Sequence, residues 1–125
     1  VIVYIPIYTR ELIQKHPNCV FVFGDNVAEE GYGGQAAEAR GEPNALGIPT
    51  KLTPHEYLTD EHFDDITYVW DQLFEGLHHQ LDSEHIVVWP LDGIGTGLAK
   101  LREKAPRCWA HLKSLCLRCG IRNGP

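Results

Sequence analysis

Cys19-Val20-Phe21-Val22-Phe23, followed at once by Gly24-Asp25-Asn26, is the stretch whose reading decides the fold. Five consecutive apolar residues without alternation predict a strand covered on both faces, a property of the middle of a largely parallel sheet. His85-Ile86-Val87-Val88-Trp89 repeats the pattern and runs into Pro90-Leu91-Asp92-Gly93-Ile94-Gly95-Thr96-Gly97. Two buried strands, each ending in a glycine-rich loop, place both loops on the carboxyl rim of one sheet, where α/β proteins gather their ligands.

Outward from these strands the elements alternate. Val1 to Tyr8 is β-branched and aromatic but holds Pro6, which predicts an edge strand or two short pieces. Thr9 caps a short helix over residues 10–15, stopped by Pro17. Gln35 to Arg40 reads as a brief helix ended by Gly41, and Ala45 to Pro49 as another strand with Thr50-Lys51 at its end. From near Thr59 a long helix begins, because Ile66, Val69, Trp70, Leu73, Phe74, Leu77 and Leu81 recur at three- and four-residue steps. Pro106 opens a last helix that turns Cys108, Trp109, Leu112, Leu115, Cys116 and Cys119 inward, and Gly120 closes it. A layered α/β domain is expected.

At 125 residues the chain is read as one domain with an ordinary core. No apolar run approaches membrane-span length, so a cytoplasmic protein with no membrane partner is the expectation. With no methionine in the sequence, the initiator is expected upstream of Val1. A net charge of −6 repels polyanions at long range and argues against a general nucleic-acid binder. Cys19, Cys108, Cys116 and Cys119 fit small core thiols. Cys116-Leu117-Arg118-Cys119 has metal-ligand spacing but no second pair, and no metal or cofactor is expected.

The chemistry resides in the loops. Glycine lets backbone N–H groups close around phosphate oxygens, and two such loops, with Gly24, Gly33, Gly34 and Gln35 in the first and Gly93, Ile94, Gly95, Thr96 and Gly97 in the second, can cradle a diphosphate. Arg40 and Lys51 supply local positive charge, while Asp25, Asn26 and Asp92 suit sugar hydroxyls or an activated water. Gly31-x-Gly33-x-x-Ala36 fits a loosened dinucleotide fingerprint, but Gly24 to Glu30 separate it from the strand, and no acid ends a following strand at the required distance. His78 and His79 are adjacent on a helix and make a poor chelate. No nucleophile elbow is present.

Phe21 to Asn26, Gly33 to Ala37, Arg40 to Ala45, Gly47 to Lys51 and Trp89 to Ala99 resemble a small family of uncharacterised phage and bacterial proteins. Within that span, a strand ending in Asn, a Gly-Gly loop entering a helix, and a late strand ending in Pro-x-x-Gly-x-Gly-x-Gly is similar to macrodomains, which bind ADP-ribose and in some branches hydrolyse it from macromolecules. The resemblance implies a compact three-layer α/β macrodomain-like fold with a central mixed sheet over residues 1–125. It implies that Asn26 orients the distal ribose, that Gly33-Gly34 lies beside that ribose and the diphosphate, and that Gly93 to Gly97 form the second phosphate loop. Asp25 precedes Asn26 where macrodomains usually carry Ala-Ala. The expected function is binding of ADP-ribose or a related NAD-derived nucleotide, free or on an ADP-ribosylated macromolecule. Hydrolysis of the ADP-ribosyl linkage would use Asp25 or Asp92 as base; the alternative is a binding module without turnover.

Overall fold

The computed structural model describes residues 1–31 and 33–125. Its elements run β1 (Ile2–Ile5), α1 (Arg10–Lys15), β2 (Cys19–Asn26), α2 (Ala36–Ala39), β3 (Ala45–Thr53), β4 (Glu56–Tyr57), α3 (Phe63–Asp82), β5 (Ile86–Pro90), α4 (Leu101–Lys104) and α5 (Pro106–Arg118). The five strands form one mixed sheet in the order β1-β5-β2-β3-β4. The first four are parallel, and β4 turns back antiparallel on β3. No helix among the described residues is long and apolar enough to cross a membrane.

Alternate residues of the central strands feed two separate cores, as the two-residue strand period requires. Phe21, Phe23 and Val88 pack with Tyr8, Ile13, Ala36 and Ala39 beneath α1 and α2. Val22, Val87 and Trp89 pack on the other face with Ile66, Trp70, Phe74 and Leu77 of α3 and with Cys108, Leu112 and Leu115 of α5. Helices therefore cover both faces of the sheet. The apolar stripe of α3 is the one its spacing predicts, except that Val69 sits at the stripe's edge and is 39% exposed.

Helix ends are fixed by side chains from elsewhere. Thr9 accepts from the Leu12 N–H at 3.0 Å and caps α1. The first turn of α5 has no cap of its own, because Ala105 has no acceptor. Asp60, in the 3-10 turn before α3, reaches across to accept from the Arg107 and Cys108 N–H groups at 3.1 and 3.2 Å. The long-range cap locks α3 and α5 together.

β2 runs further than the sequence suggests, and so does β3, which continues past Pro49 to Thr53. β2 continues through Gly24 to Asn26 because Gly24, Asp25 and Asn26 pair with Ile48, Pro49 and Lys51 of β3, with a bulge between Asp25 and Asn26. Cross-strand pairing thus overrides the turn preference of Gly, Asp and Asn. The predicted helix over 35–40 shrinks to the four residues of α2, and Val1 to Tyr8 yields a single edge strand.

The β2–β5 ladder stops early. It pairs Cys19 with Ile86, Val20 with Val87 and Phe21 with Val88, and beyond that point the two strands part. The Tyr8 hydroxyl enters the gap and shares its one proton between the carbonyls of Val22 at 2.8 Å and Val88 at 3.1 Å. Tyr8 is 2% exposed, and burial pushes its phenol well above the usual pKa, so it remains a donor. Tyr8→Phe is expected to lower stability by about 1–2 kcal/mol in urea unfolding, the cost of losing a buried hydrogen-bond donor. An unchanged midpoint would show that the hydroxyl does not tie the strands.

Candidate functional site

The exit of β2 leads to α2 on one face of the sheet, and the exit of β5 leads to α4 and α5 on the other. Adjacent parallel strands whose connections leave in opposite directions define the switch-point crevice where α/β proteins hold ligands. Here the crevice measures about 350 Å³, within the range of small-molecule sites. Both glycine loops line it. Gly24, Asp25 and Asn26 come from β2, Gly33, Gly34 and Gln35 from the first loop, Arg40 from beyond α2, Lys51 from β3, and Gly93, Ile94, Gly95 and Thr96 from the second loop.

Two residues singled out in the sequence do not line the crevice. Asp92 is exposed; its carbonyl accepts from the Thr96 hydroxyl at 3.0 Å, which closes the turn. Gly97 begins the following 3-10 turn with φ +55°. Glu30, Gly31, Thr50, Pro54, Pro90 and Leu98 line the crevice without having been singled out as site residues.

The polar side chains around the crevice are engaged with the protein itself. The Asp25 side chain is 5% exposed and meets Arg40 through two nitrogens, Nη2 to Oδ1 and Nε to Oδ2, the latter at 3.2 Å. Asp25 also accepts from the Asn26 N–H at 2.8 Å. Arg40 donates onward to the carbonyls of Gly31 at 3.0 Å and Glu30 at 3.2 Å, and its hydrogen bond to Asp25 raises its already high pKa. Asn26 closes a ring with Glu30, donating to its carbonyl at 2.7 Å and accepting from its N–H at 3.2 Å. Gln35 accepts from the Tyr8 N–H at 2.7 Å. Lys51 donates to the Pro54 carbonyl at 2.7 Å with its ammonium 5.2 Å from the Tyr57 ring centre.

These bonds shape the first loop and leave the crevice surface to other groups. The Asp25 charge is neutralised at close range, so it does not repel an anion. The N–H groups of Gly95 and Thr96 donate to no acceptor among the described residues. Ile94, Pro54 and Leu98 add an apolar wall, and Leu98 is 82% exposed at its lip.

The second loop is held by a residue that sequence reading missed. Asn123, near the C-terminus, accepts from the Ile94 N–H at 2.7 Å and from Trp89 Nε1 at 3.1 Å, and donates to the Ile94 carbonyl at 3.0 Å. Gly93, at φ +84°, allows this approach, because a Cβ there would lie 2.7 Å from the Asn123 oxygen. Only the Asn-Gly-Pro turn signature marks the position in sequence, and it says nothing about the partner.

Away from the crevice, all four cysteines are free thiols. Burial pushes the Cys108 thiol up to about 11 and the Cys116 thiol up to about 12, which disfavours the thiolate form. Among the described residues no group of three or more His, Cys, Asp and Glu is arranged to hold a metal ion.

Fold and crevice together define an α/β domain with a crevice at the switch point of its sheet. The chain belongs to a family of unknown function, DUF7831, whose model matches residues 3–115. No curated protein and no solved structure matches it.

Arg40→Gln would leave Asp25 buried without its counter-charge. The variant is expected to lose about 2–4 kcal/mol in urea unfolding, with faster amide exchange in residues 26–31. Stability equal to the parent would mean that the ion pair does not hold the loop.

Proposed function

We propose that the crevice binds ADP-ribose or a related NAD-derived nucleotide through its diphosphate, and that it retains this ligand without turning it over. The observation that carries the reading is the meeting of both glycine loops at one switch point, with the Gly95 and Thr96 N–H groups donating to no acceptor among the described residues. Backbone donors of this kind hold phosphate without a basic side chain, which suits a crevice whose Arg40 and Lys51 are bonded to loop carbonyls. The apolar wall of Ile94, Pro54 and Leu98 offers a surface to a base or ribose face.

Retention is favoured over hydrolysis by the placement of the acids. A general base must reach its water unencumbered, whereas Asp25 is clasped by Arg40 and Asp92 lies outside the crevice lining. Hydrolysis would require Asp25 to leave Arg40 when ligand enters. In this reading Asn26 and Asp25 act through the loop they shape.

Titration calorimetry with ADP-ribose, NAD and AMP tests the proposal. ADP-ribose is expected to bind at least tenfold more tightly than AMP, which lacks the diphosphate. Gly33→Val is expected to weaken ADP-ribose at least tenfold in a folded protein, because a Cβ there meets no atom within 4 Å among the described residues beyond its chain neighbours and adds bulk to the crevice lining. Equal affinity for AMP and ADP-ribose, or an unaffected Gly33→Val, would refute the diphosphate assignment. Release of ADP-ribose from a modified protein on incubation with this chain would replace retention by hydrolysis.

A further inference from the structure

The net charge of −6 conceals a division of the chain. Residues 93–125 carry seven of the eleven Lys and Arg, namely Lys100, Arg102, Lys104, Arg107, Lys113, Arg118 and Arg122, against the single acid Glu103. Residues 1–92 carry the other four bases and sixteen acids. All seven bases are exposed. Acids of other elements meet α5 on its α3 side, where Asp60 accepts from the Arg107 and Cys108 N–H groups and Asp71 pairs with His111. On the opposite side Arg102 and Lys113 line a groove that holds no acid among its lining residues, and a Debye length of about 8–10 Å lets a ligand there sense those charges first.

This groove of about 570 Å³ runs between α5 and the C-terminal residues. Arg102 and Lys113 line it together with the half-buried indole of Trp109 and with Leu117, which is 79% exposed. Trp70 and Trp89, by contrast, are fully buried at 0%. Three further bases are held against aromatic rings: Lys104 at 4.9 Å from the Tyr57 centre, Arg107 at 4.1 Å from Phe63, and Arg122 at 5.0 Å from Tyr4. Ordered cations lose less side-chain entropy when they meet an anion.

We propose that this face docks a single-stranded nucleic acid, with phosphates on Arg102 and Lys113 and a base against Trp109. The combination of a basic groove with an aromatic plane decides the partner. An acidic peptide would satisfy the charges but leave the indole without a flat group to stack on, whereas every base of an unpaired strand presents one. The general repulsion of polyanions by the net charge sets a limit on affinity at long range and leaves this local contact in place. The site is separate from the crevice; Asn123, which lines the groove, holds the second glycine loop between them.

Fluorescence anisotropy of a labelled fifteen-nucleotide oligo-dT with the full chain tests the proposal. Binding at 50 mM salt is expected, weakening about tenfold or more at 300 mM as counterions released from a few phosphates are restored. Lys113→Gln, an exposed change on α5, should weaken binding several-fold, and Trp109→Phe should abolish the quenching of intrinsic fluorescence by the oligomer. If Trp109→Phe fails to fold, quenching of the parent protein and the Lys113→Gln loss carry the decision. No binding at 50 mM salt overturns the proposal. Displacement by polyglutamate with no tryptophan quenching assigns the face to an acidic protein instead. Salt-sensitive self-association with no oligomer binding assigns it to a second copy of the chain.

Discussion

The rest of the structure depends on where β2 and β5 stop pairing. Their ladder ends at Phe21 and Val88, and the Tyr8 hydroxyl then bridges the two strands at the carbonyls of Val22 and Val88. Were the ladder to continue, the sheet would close over the space that the loops surround. Because it ends, a pair of buried central strands diverges at its carboxyl end, and the chain after each strand is sent to opposite faces. The crevice is thus a consequence of sheet pairing before any side chain enters it, and Tyr8 offsets the cost of leaving the Val22 carbonyl beyond the ladder.

What surrounds the gap is a set of internal clasps. Arg40 spans Asp25 and the carbonyls of Glu30 and Gly31, Asn26 spans both backbone groups of Glu30, and Asn123 performs the same service for Ile94. Each fixes a glycine-containing loop that would otherwise sample many conformations, and pre-ordering of this kind lowers the entropic cost of binding a ligand. Lys51 and Gln35 work in the same manner on the two flanks. The polar residues thus shape the site, and the main chain is left to make contact.

Much of this architecture is legible in the sequence. The unbroken apolar runs at 19–23 and 86–89 locate the central strands, and the three- and four-residue steps from Ile66 to Leu77 locate α3, because burial on two faces or one stripe leaves a periodic trace. Meeting of the two glycine loops also follows from their common position after buried strands. The extension of β2 to Asn26 does not, since it depends on pairing with β3, and local propensity at Gly24-Asp25-Asn26 favours a turn. Nor does the occupation of Asp25 by Arg40, fifteen residues on, or of Ile94 by Asn123, since residue type shows that a group can bond but not with whom. Asp92, next to a glycine in sequence, is exposed and stands outside the crevice lining, because adjacency along the chain does not set where a side chain lies.

The central claim is that backbone amides of both loops contact a diphosphate at the switch point. Amide chemical-shift mapping with ADP-ribose on uniformly labelled protein tests it most directly. The account requires the largest shifts at Gly33, Gly34, Gly95 and Thr96, on the two sides of one crevice. Shifts confined to residues outside both loops, or none at ligand concentrations in the millimolar range, would contradict it.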